Sequence, residues 1–200
     1  MWSIIVVNIN TTHPQAWLPA LTAVSPQLRQ WLQDRGSLTR RIQECCSQFY
    51  VEPIFQEFAG LYGDEWIRLK QHRHELALIR EVYLYCCDKP VVFAHSVVSR
   101  KSLMGVWRTL NGLGNRSLGS MLFTNPRVKR TPLEFKKVSS GHFLYDRAVL
   151  RLTDKPEHLW ARRSLFTLQS ESILVTEVFL PDILGLSTWW FLINSFSLDD

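Results

Sequence analysis

The chain has 200 residues, of which 46% are hydrophobic and 20% are charged, and it carries a formal net charge of +5 with a pI near 9.2. This length and composition are typical of one folded domain with a sizeable core and exclude a low-complexity chain. The basic residues form small groups and not the long stripe with interleaved aromatic residues that a nucleic-acid surface requires, so we expect no nucleic-acid partner.

The beginning of the chain predicts short helices. Residues 1–12 fit a short strand or a loose segment. Residues 14–34 place apolar side chains at helical spacing, with an interruption near Pro26, which predicts one or two short helices. Ser37 is suited to cap the start of a further helix.

The next part predicts strands. Residues 49–58 predict a strand in which Pro53 indicates an edge position or a bulge, and residues 60–75 are charged and loop-like. Residues 78–87 and 91–98 are apolar runs joined by a turn, which predicts an antiparallel hairpin.

The middle of the chain predicts two helices separated by glycines. The first covers residues 99–110, with Ser99 as its N-cap and Gly112 near its end. The second is short, covers residues 117–123, and presents free backbone N–H groups at its start.

The last part predicts more strands and sets the fold class. Residues 133–138 predict one strand, and residues 159–168 and 173–180 predict a second hairpin. Strands dominate the second half, and helices flank them without strict alternation. We therefore expect a single α+β domain with a mainly antiparallel sheet, covering residues 1–200, with 1–12 and 183–200 as peripheral extensions.

The cysteines and the chain ends suggest a cytoplasmic protein without metal. The adjacent pairs Cys45-Cys46 and Cys86-Cys87 lack the C-x-x-C spacing of a zinc or redox site, so we expect reduced thiols, and the histidines form no ligand-like pair. The apolar ends are too short to cross a bilayer, and the first lacks the features of a signal peptide. We expect no metal and no stable membrane insertion.

Two charged residues lie within apolar strand patterns. At the strand period of two, Glu177 shares its face with apolar neighbours while Thr176 points the opposite way, and Arg80 falls on the apolar parity of the first hairpin. A buried charge needs a partner. These residues therefore indicate either a structural ion pair, or an exposed Glu177 on an edge strand, or a polar pocket built for an anion.

Six segments in the same order give the sequence a family resemblance. They are SLTRR at 37–41, LIREV at 78–82, LGNRSLG at 113–119, LF at 122–123, LWARRS at 159–164 and LVTEVFLP at 174–181. In this combination the chain resembles the chorismate pyruvate-lyase family. The resemblance implies a single domain with about six strands, flanking helices, helical flaps that close over an internal ligand site, and no cofactor.

The resemblance also implies site residues. Arg80 would bind the ring carboxylate of the ligand together with the backbone amides at Leu38 and Leu118, and Glu177 would meet its hydroxyl end. The implied reaction cleaves chorismate to 4-hydroxybenzoate and pyruvate, the first step in making prenylquinone head groups of the ubiquinone or plastoquinone type. We expect a monomer with these small molecules as its ligands.

Several alternatives stay open. Glu177, whose apolar surroundings favour a protonated carboxyl, could act as a general acid or could only orient the hydroxyl, and Arg162 or Arg163 could bind the second carboxylate of chorismate or lie on the surface. The fold also resembles effector-binding domains of transcription regulators, so a non-catalytic sensor of aromatic carboxylates is the main alternative. Such sensors follow a helix-turn-helix domain, for which the sequence before residue 37 is too short, and this favours the enzyme. The tail with Trp189 and Trp190 could serve an additional interaction.

Overall fold

The computed structural model describes residues 16–186, so the predicted segment at 1–12 and the tail with Trp189 and Trp190 lie outside the described residues. The helices are α1 (Pro26–Gln33), α2 (Leu38–Glu44), α3 (Glu65–Arg68), α4 (Arg100–Met104), α5 (Leu118–Thr124) and α6 (Phe143–Ala148), with 3₁₀ turns at Arg108–Gly112 and Val149–Arg151. The strands are β1 (Phe49–Gly60), β2 (Leu76–Cys86), β3 (Lys89–Ser99), β4 (Lys129–Arg130), β5 (Glu134–Ser139), β6 (His158–Leu168) and β7 (Glu171–Phe179).

The strands form one antiparallel sheet with the order β1-β2-β3-β7-β6-β4, and β5 also pairs with β6. This confirms the predicted α+β class. Within residues 16–186 the sheet has seven strands, where about six were expected. Strand β4 was not predicted, because a strand of two residues is too short to show a period.

The predicted hairpins are confirmed, and so is the irregular edge strand. β2 pairs with β3, and β6 pairs with β7. β1 lies at the sheet edge, and its register with β2 shifts between Pro53 and Phe55. Proline cannot donate a ladder hydrogen bond, which explains both the edge position and the bulge.

The helix starts follow their serine caps. The side chains of Ser37, Ser99 and Ser117 accept backbone hydrogen bonds at the starts of α2, α4 and α5. The helix predicted over 99–110 is interrupted, because α4 ends at Met104 and a 3₁₀ turn follows at Arg108–Gly112. None of the helices within 16–186 is long and apolar enough to span a membrane.

One of the one or two short helices predicted over residues 14–34 is present, and two segments predicted to be irregular each contain a short helix. Of residues 14–34, only Pro26–Gln33 is helical among those described. The loop expected at 60–75 contains α3, and the mixed segment at 139–158 contains α6. Both of these helices are too short to show a helical period in the sequence.

The two faces of the sheet bury different clusters. On one face, Val82 and Leu84 of β2 pack with Trp31 and Leu32 of α1. On the other face, Tyr83 of β2 packs against the buried residues of α6. The alternation along β2 therefore divides the core into two layers, and we call them the α1 face and the α6 face.

The α6 face contains a buried charged group around His95. The His95 ring is fully buried, with Nδ1 3.0 Å from Glu81 and Nε2 3.0 Å from Glu65. Arg147 donates to the other oxygen of Glu81. Burial opposes a charge on the ring, but the two carboxylates outweigh it and raise the pKa of His95 to about 9.

We expect alkaline pH to weaken the folded state through His95. Because the folded-state pKa lies above the ordinary 6.5, the stabilising contribution is complete below that pH and is lost as pH rises through about 9. The expected loss is on the order of 3 kcal/mol. Urea unfolding of wild type and of His95→Gln at about pH 6 and 9.5 measures it. The same pH dependence in both proteins would contradict the assignment.

The structure corrects the expected state of two cysteines. Cys46 and Cys86 form a disulfide with a Cα–Cα distance of 5.7 Å, while Cys45 and Cys87 are free. The pairing of β1 with β2 places Phe49 opposite Cys86, which brings Cys46 close to it. The reduced state was inferred from local spacing, which does not show contacts between residues 40 positions apart.

Candidate active site

A cavity lies on the α1 face of the sheet, beneath α2 and α5. Strands β2, β3 and β7 form its floor, and β4 and β6 form one side. Its lining comprises Gly36, Leu38, Thr39, Arg80, Val82, Leu84, Ala94, Ser96, Ser117, Leu118, Gly119, Leu122, Phe123, Arg130, Phe166, Val175 and Glu177. All four residues singled out from the sequence are among them: Arg80, Glu177, Leu38 and Leu118.

Arg80 is buried and lacks a carboxylate partner within residues 16–186. Its Nη2 donates to the carbonyl oxygens of Gly114 at 2.9 Å and Arg116 at 3.1 Å, while its buried Nε has no hydrogen-bond partner in the described part of the chain. Burial lowers the pKa of the guanidinium. An unsatisfied donor on a buried cation is costly, and an anion in the cavity would satisfy it.

Glu177 is paired, but not with Arg80. Its Oε2 accepts a hydrogen bond from Nε of Arg162 at 2.6 Å. Arg162 itself is fully buried and also donates to the carbonyls of Trp31, Leu32 and Asp34. The expectation of a protonated carboxyl rested on the apolar neighbours of Glu177 along the strand. In the folded protein this carboxyl group instead contacts a buried guanidinium. Oε1 of Glu177 makes no hydrogen bond to the described residues and is available to a ligand.

Arg163 lies on the other face of the sheet. Its guanidinium contacts Asp64 at 2.7 Å and Glu134 at 2.8 Å. Arg162 points toward the cavity side, but protein groups occupy its Nε and Nη1. Neither residue is among those that line the cavity.

Arg130 also lines the cavity, although its position in the sequence did not indicate this. Arg130 belongs to β4, donates from Nε to Ser164 Oγ at 2.8 Å and from Nη1 to the Arg35 carbonyl at 2.9 Å, and lies over the ring of Phe166. Burial lowers its pKa to about 10, although Glu177 nearby opposes this. In the sequence it appeared as one of a small basic group with Arg127.

Helices α2 and α5 meet over the cavity. Thr39 Oγ1 and Ser117 Oγ lie 2.5 Å apart, which joins the starts of the two helices. A Cβ atom at Gly119 would lie 3.1 Å from Thr39 Oγ1 and 3.3 Å from the hydroxyls of Ser37 and Ser117. The close approach of the helices therefore depends on glycine at position 119.

The cavity is small. Its volume is about 40 Å³, which is room for roughly three water molecules. A larger depression on the outer surface shares Gly36, Thr39 and Phe123 with the cavity lining. A ring-sized ligand needs more room than this, so we expect α2 and α5 to move apart when such a ligand binds.

One group of possible metal ligands occurs within residues 16–186. The sulfur atoms of Cys46, Cys86 and Cys87 lie within 4.8 Å of one another. Two of them are joined in the disulfide, and none of the three lines the cavity. The cavity residues themselves provide guanidinium, carboxylate, hydroxyl and amide groups suited to an organic anion.

Solved structures share the fold at low sequence identity. The C-terminal domain of PhnF aligns with a TM-score of 0.53 and 14% identity over 66% of this chain and 83% of that domain. The ligand-binding domain of a putative GntR-family transcriptional regulator from Bordetella bronchiseptica aligns with a TM-score of 0.50 and 11% identity over 68% of this chain and 86% of that domain. At such identities the likeness concerns the fold alone.

A family model and relatives of much higher sequence identity identify the family of the chain. The family model described as "Chorismate lyase" matches residues 12–186. A "probable chorismate pyruvate-lyase" of Nitrosospira multiformis is 59% identical, covering 90% of this chain and 100% of the relative. A protein of the same name from Nitrosomonas europaea is 56% identical, covering 85% of this chain and 96% of the relative. The chain therefore belongs to the chorismate lyase family.

Proposed function

We propose that the protein cleaves chorismate to 4-hydroxybenzoate and pyruvate. Family membership supports the reaction class. The observation that carries the proposal is the buried Arg80 guanidinium, which faces the cavity without a carboxylate partner among the described residues. A carboxylated ring bound there would supply the missing anion.

In this proposal the ring carboxylate binds between Arg80 and the overlying helices. Leu38 and Leu118 are the first residues of α2 and α5, so their backbone N–H groups have no partner within their own helices. Both residues line the cavity with Arg80. One carboxylate could therefore accept hydrogen bonds from the guanidinium and from both amides.

Glu177 would then meet the 4-hydroxyl at the far end of the ring. Its Oε1 can accept the hydroxyl hydrogen while Oε2 stays on Arg162. In the reaction the C–O bond to the enolpyruvyl group breaks with its electron pair, a ring hydrogen leaves as a proton, and the enolpyruvyl methylene gains a proton to give pyruvate. Aromatisation of the ring drives these steps, so positioning of the substrate is the main task of the protein.

The finer parts of the proposal rest on the resemblance of the sequence. We propose that the product enters the synthesis of prenylquinone head groups, of ubiquinone or plastoquinone type. We also propose a monomeric, cytoplasmic enzyme without cofactor, nucleic-acid partner or stable membrane insertion. Fractionation of cells and sedimentation of the pure protein would test location and oligomeric state.

A sensor of aromatic carboxylates is the second candidate. The fold shared with the ligand-binding domain of a transcriptional regulator favours it, and the same cavity would hold the ligand. Such a protein would bind 4-hydroxybenzoate but leave chorismate intact.

One assay separates the two functions. Pure protein is incubated with chorismate, 4-hydroxybenzoate is measured by chromatography, and pyruvate is measured by coupled reduction with lactate dehydrogenase. We expect both products in equal amounts and at a rate proportional to protein concentration. A folded protein that binds 4-hydroxybenzoate and releases no pyruvate would support the sensor.

A substitution at Gly119 tests whether the contact between α2 and α5 over the cavity retains the ligand. We expect Gly119→Ala to push α5 away from α2, because the added methyl group meets three hydroxyl groups at 3.1–3.3 Å. The affinity for 4-hydroxybenzoate should fall about tenfold, as measured by titration calorimetry. Gly112→Ala is the control, because a Cβ there meets no atom within 4 Å. Equal affinities in both variants would show that the contact of α2 with α5 does not retain the ligand.

A further inference from the structure

Arg130 is a half-buried cation of the cavity whose hydrogen bonds and ring contacts within residues 16–186 are all to neutral groups. It donates to a hydroxyl oxygen of Ser164 and a carbonyl oxygen of Arg35, and it lies 5.0 Å from the ring centroid of Phe166 and 5.6 Å from that of Phe123. It forms no ion pair within residues 16–186. A guanidinium removed from water is stabilised when an anion pairs with it.

The charges around the cavity do not balance. Arg80 and Arg130 line it without carboxylate partners among the described residues, while the single carboxylate of the lining, Glu177, is paired with Arg162 behind it. The cavity therefore has two guanidinium groups in excess. A ligand with one carboxylate would compensate one of them, and a ligand with two would compensate both.

The two cations lie on opposite sides of the cavity. Arg80 extends from β2 and Arg130 from β4, and strands β3, β7 and β6 separate them in the sheet order. With a spacing of about 4.8 Å between strands, their backbones are roughly 15–20 Å apart across the floor. Glu177 of β7 lies between them, and it is near enough to Arg130 to affect its pKa.

The positions of these charged residues match the positions of the polar groups of chorismate. The ring carboxylate is opposite the 4-hydroxyl, and the enolpyruvyl ether with the second carboxylate is attached to the carbon beside that hydroxyl. If Arg80 binds the ring carboxylate and Glu177 meets the hydroxyl, the second carboxylate lies on the Glu177 side of the cavity, where Arg130 is.

We infer that Arg130 binds the enolpyruvyl carboxylate of the substrate. The inference rests on the proposed function and specifies how the protein distinguishes its substrate, with two carboxylates, from its aromatic product, with one. Arg130 takes the place of Arg162 and Arg163 as the candidate for this contact. Arg162 is bound to Glu177 and to the end of α1, and Arg163 lies on the α6 face. When pyruvate leaves, Arg130 loses its anion while Arg80 keeps the product.

Two ligands that differ in one carboxylate test the inference. The first is 4-hydroxybenzoate, and the second is 3-(carboxymethoxy)-4-hydroxybenzoate, which carries an unreactive ether and carboxylate beside the hydroxyl. We expect Arg130→Met to weaken the dicarboxylate about 30-fold or more in titration calorimetry and to change 4-hydroxybenzoate less than threefold. Arg130→Lys, which keeps the charge, should recover part of the loss. The KM for chorismate should rise in the same order.

Control measurements make the outcome decisive. Arg127→Met removes an exposed positive charge three residues away and should bind both ligands as wild type does. Thermal unfolding of Arg130→Met reports whether the contact with Arg35 is needed for folding, and Arg130→Lys serves if that variant is unstable. An equal loss for both ligands, or no loss for either, would overturn the inference. Failure of the wild type to release pyruvate would instead contradict the proposed function, because the two binding measurements do not depend on turnover.

Discussion

Replacement of Arg80 by methionine should lower kcat/KM for chorismate by about a thousandfold while the protein stays folded. The buried Nε of Arg80 has no hydrogen-bond partner among the described residues, and Arg80 lines the cavity together with Leu38 and Leu118. Truncation of one member of a buried, hydrogen-bonded charge pair costs about 2–5 kcal/mol, and about 4 kcal/mol corresponds to the stated factor.

The stability of this variant should change little. Methionine removes a buried cation that has no carboxylate partner in residues 16–186, which favours the folded state, and it leaves the carbonyls of Gly114 and Arg116 without a donor, which disfavours it. We expect the free energy of unfolding to stay within about 1 kcal/mol of wild type.

Kinetic and urea-unfolding measurements on the same samples check both statements. Arg108→Met, which removes an exposed positive charge, is the matched control and should retain full activity. Unlike Arg130→Met, Arg80→Met should weaken 4-hydroxybenzoate and its dicarboxylate analogue alike. Normal turnover of chorismate in Arg80→Met would show that this cavity is not the active site.

Much of this cavity could be predicted from the strand pattern. The parity of β2 predicted that Arg80 lies on an apolar face, and the parity of β7 predicted the same for Glu177 and the opposite direction for Thr176. The pairing of both strands with β3 brings these faces together. A period-two pattern is a local property of a strand, and therefore the sequence contains it.

What the sequence did not predict depends on contacts between distant segments. The partner of Glu177 is Arg162, which lies directly opposite it across the β6–β7 pair, and not Arg80. Arg130 reaches the cavity because a two-residue strand pairs with Phe166 of β6. Register between strands is fixed by the whole fold, so neither contact follows from the spacing of charges along the chain.

The helices likewise combine local features that the sequence predicts with a distant contact that it does not predict. Ser37 and Ser117 predicted the starts of α2 and α5, because a cap acts within one turn. The contact between the two helices over the cavity, at Gly119, involves residues about 80 positions apart and has no local signal.

The second large effect is expected at Glu177. Glu177→Leu removes from the buried Arg162 guanidinium the one carboxylate that pairs with it among residues 16–186. We expect a loss of about 3 kcal/mol in the free energy of unfolding together with a loss of turnover of at least a hundredfold. Glu177→Gln keeps an oxygen that can accept from Arg162. It should retain most of the stability and lose about tenfold in turnover, because a neutral amide is a weaker acceptor for the 4-hydroxyl.

The pH dependence of Glu177→Gln then distinguishes the two roles of this residue. Arg162 Nε donates to Oε2 of Glu177 at 2.6 Å, which holds the carboxylate in place and leaves Oε1 for the 4-hydroxyl, so the geometry favours a residue that orients the hydroxyl. We therefore expect the acid limb of the kcat profile to be the same in Glu177→Gln and wild type. If that limb disappears in the glutamine variant and turnover falls by several orders of magnitude, Glu177 transfers the proton to the departing oxygen. In that case Arg162 must release Oε2 when the substrate binds.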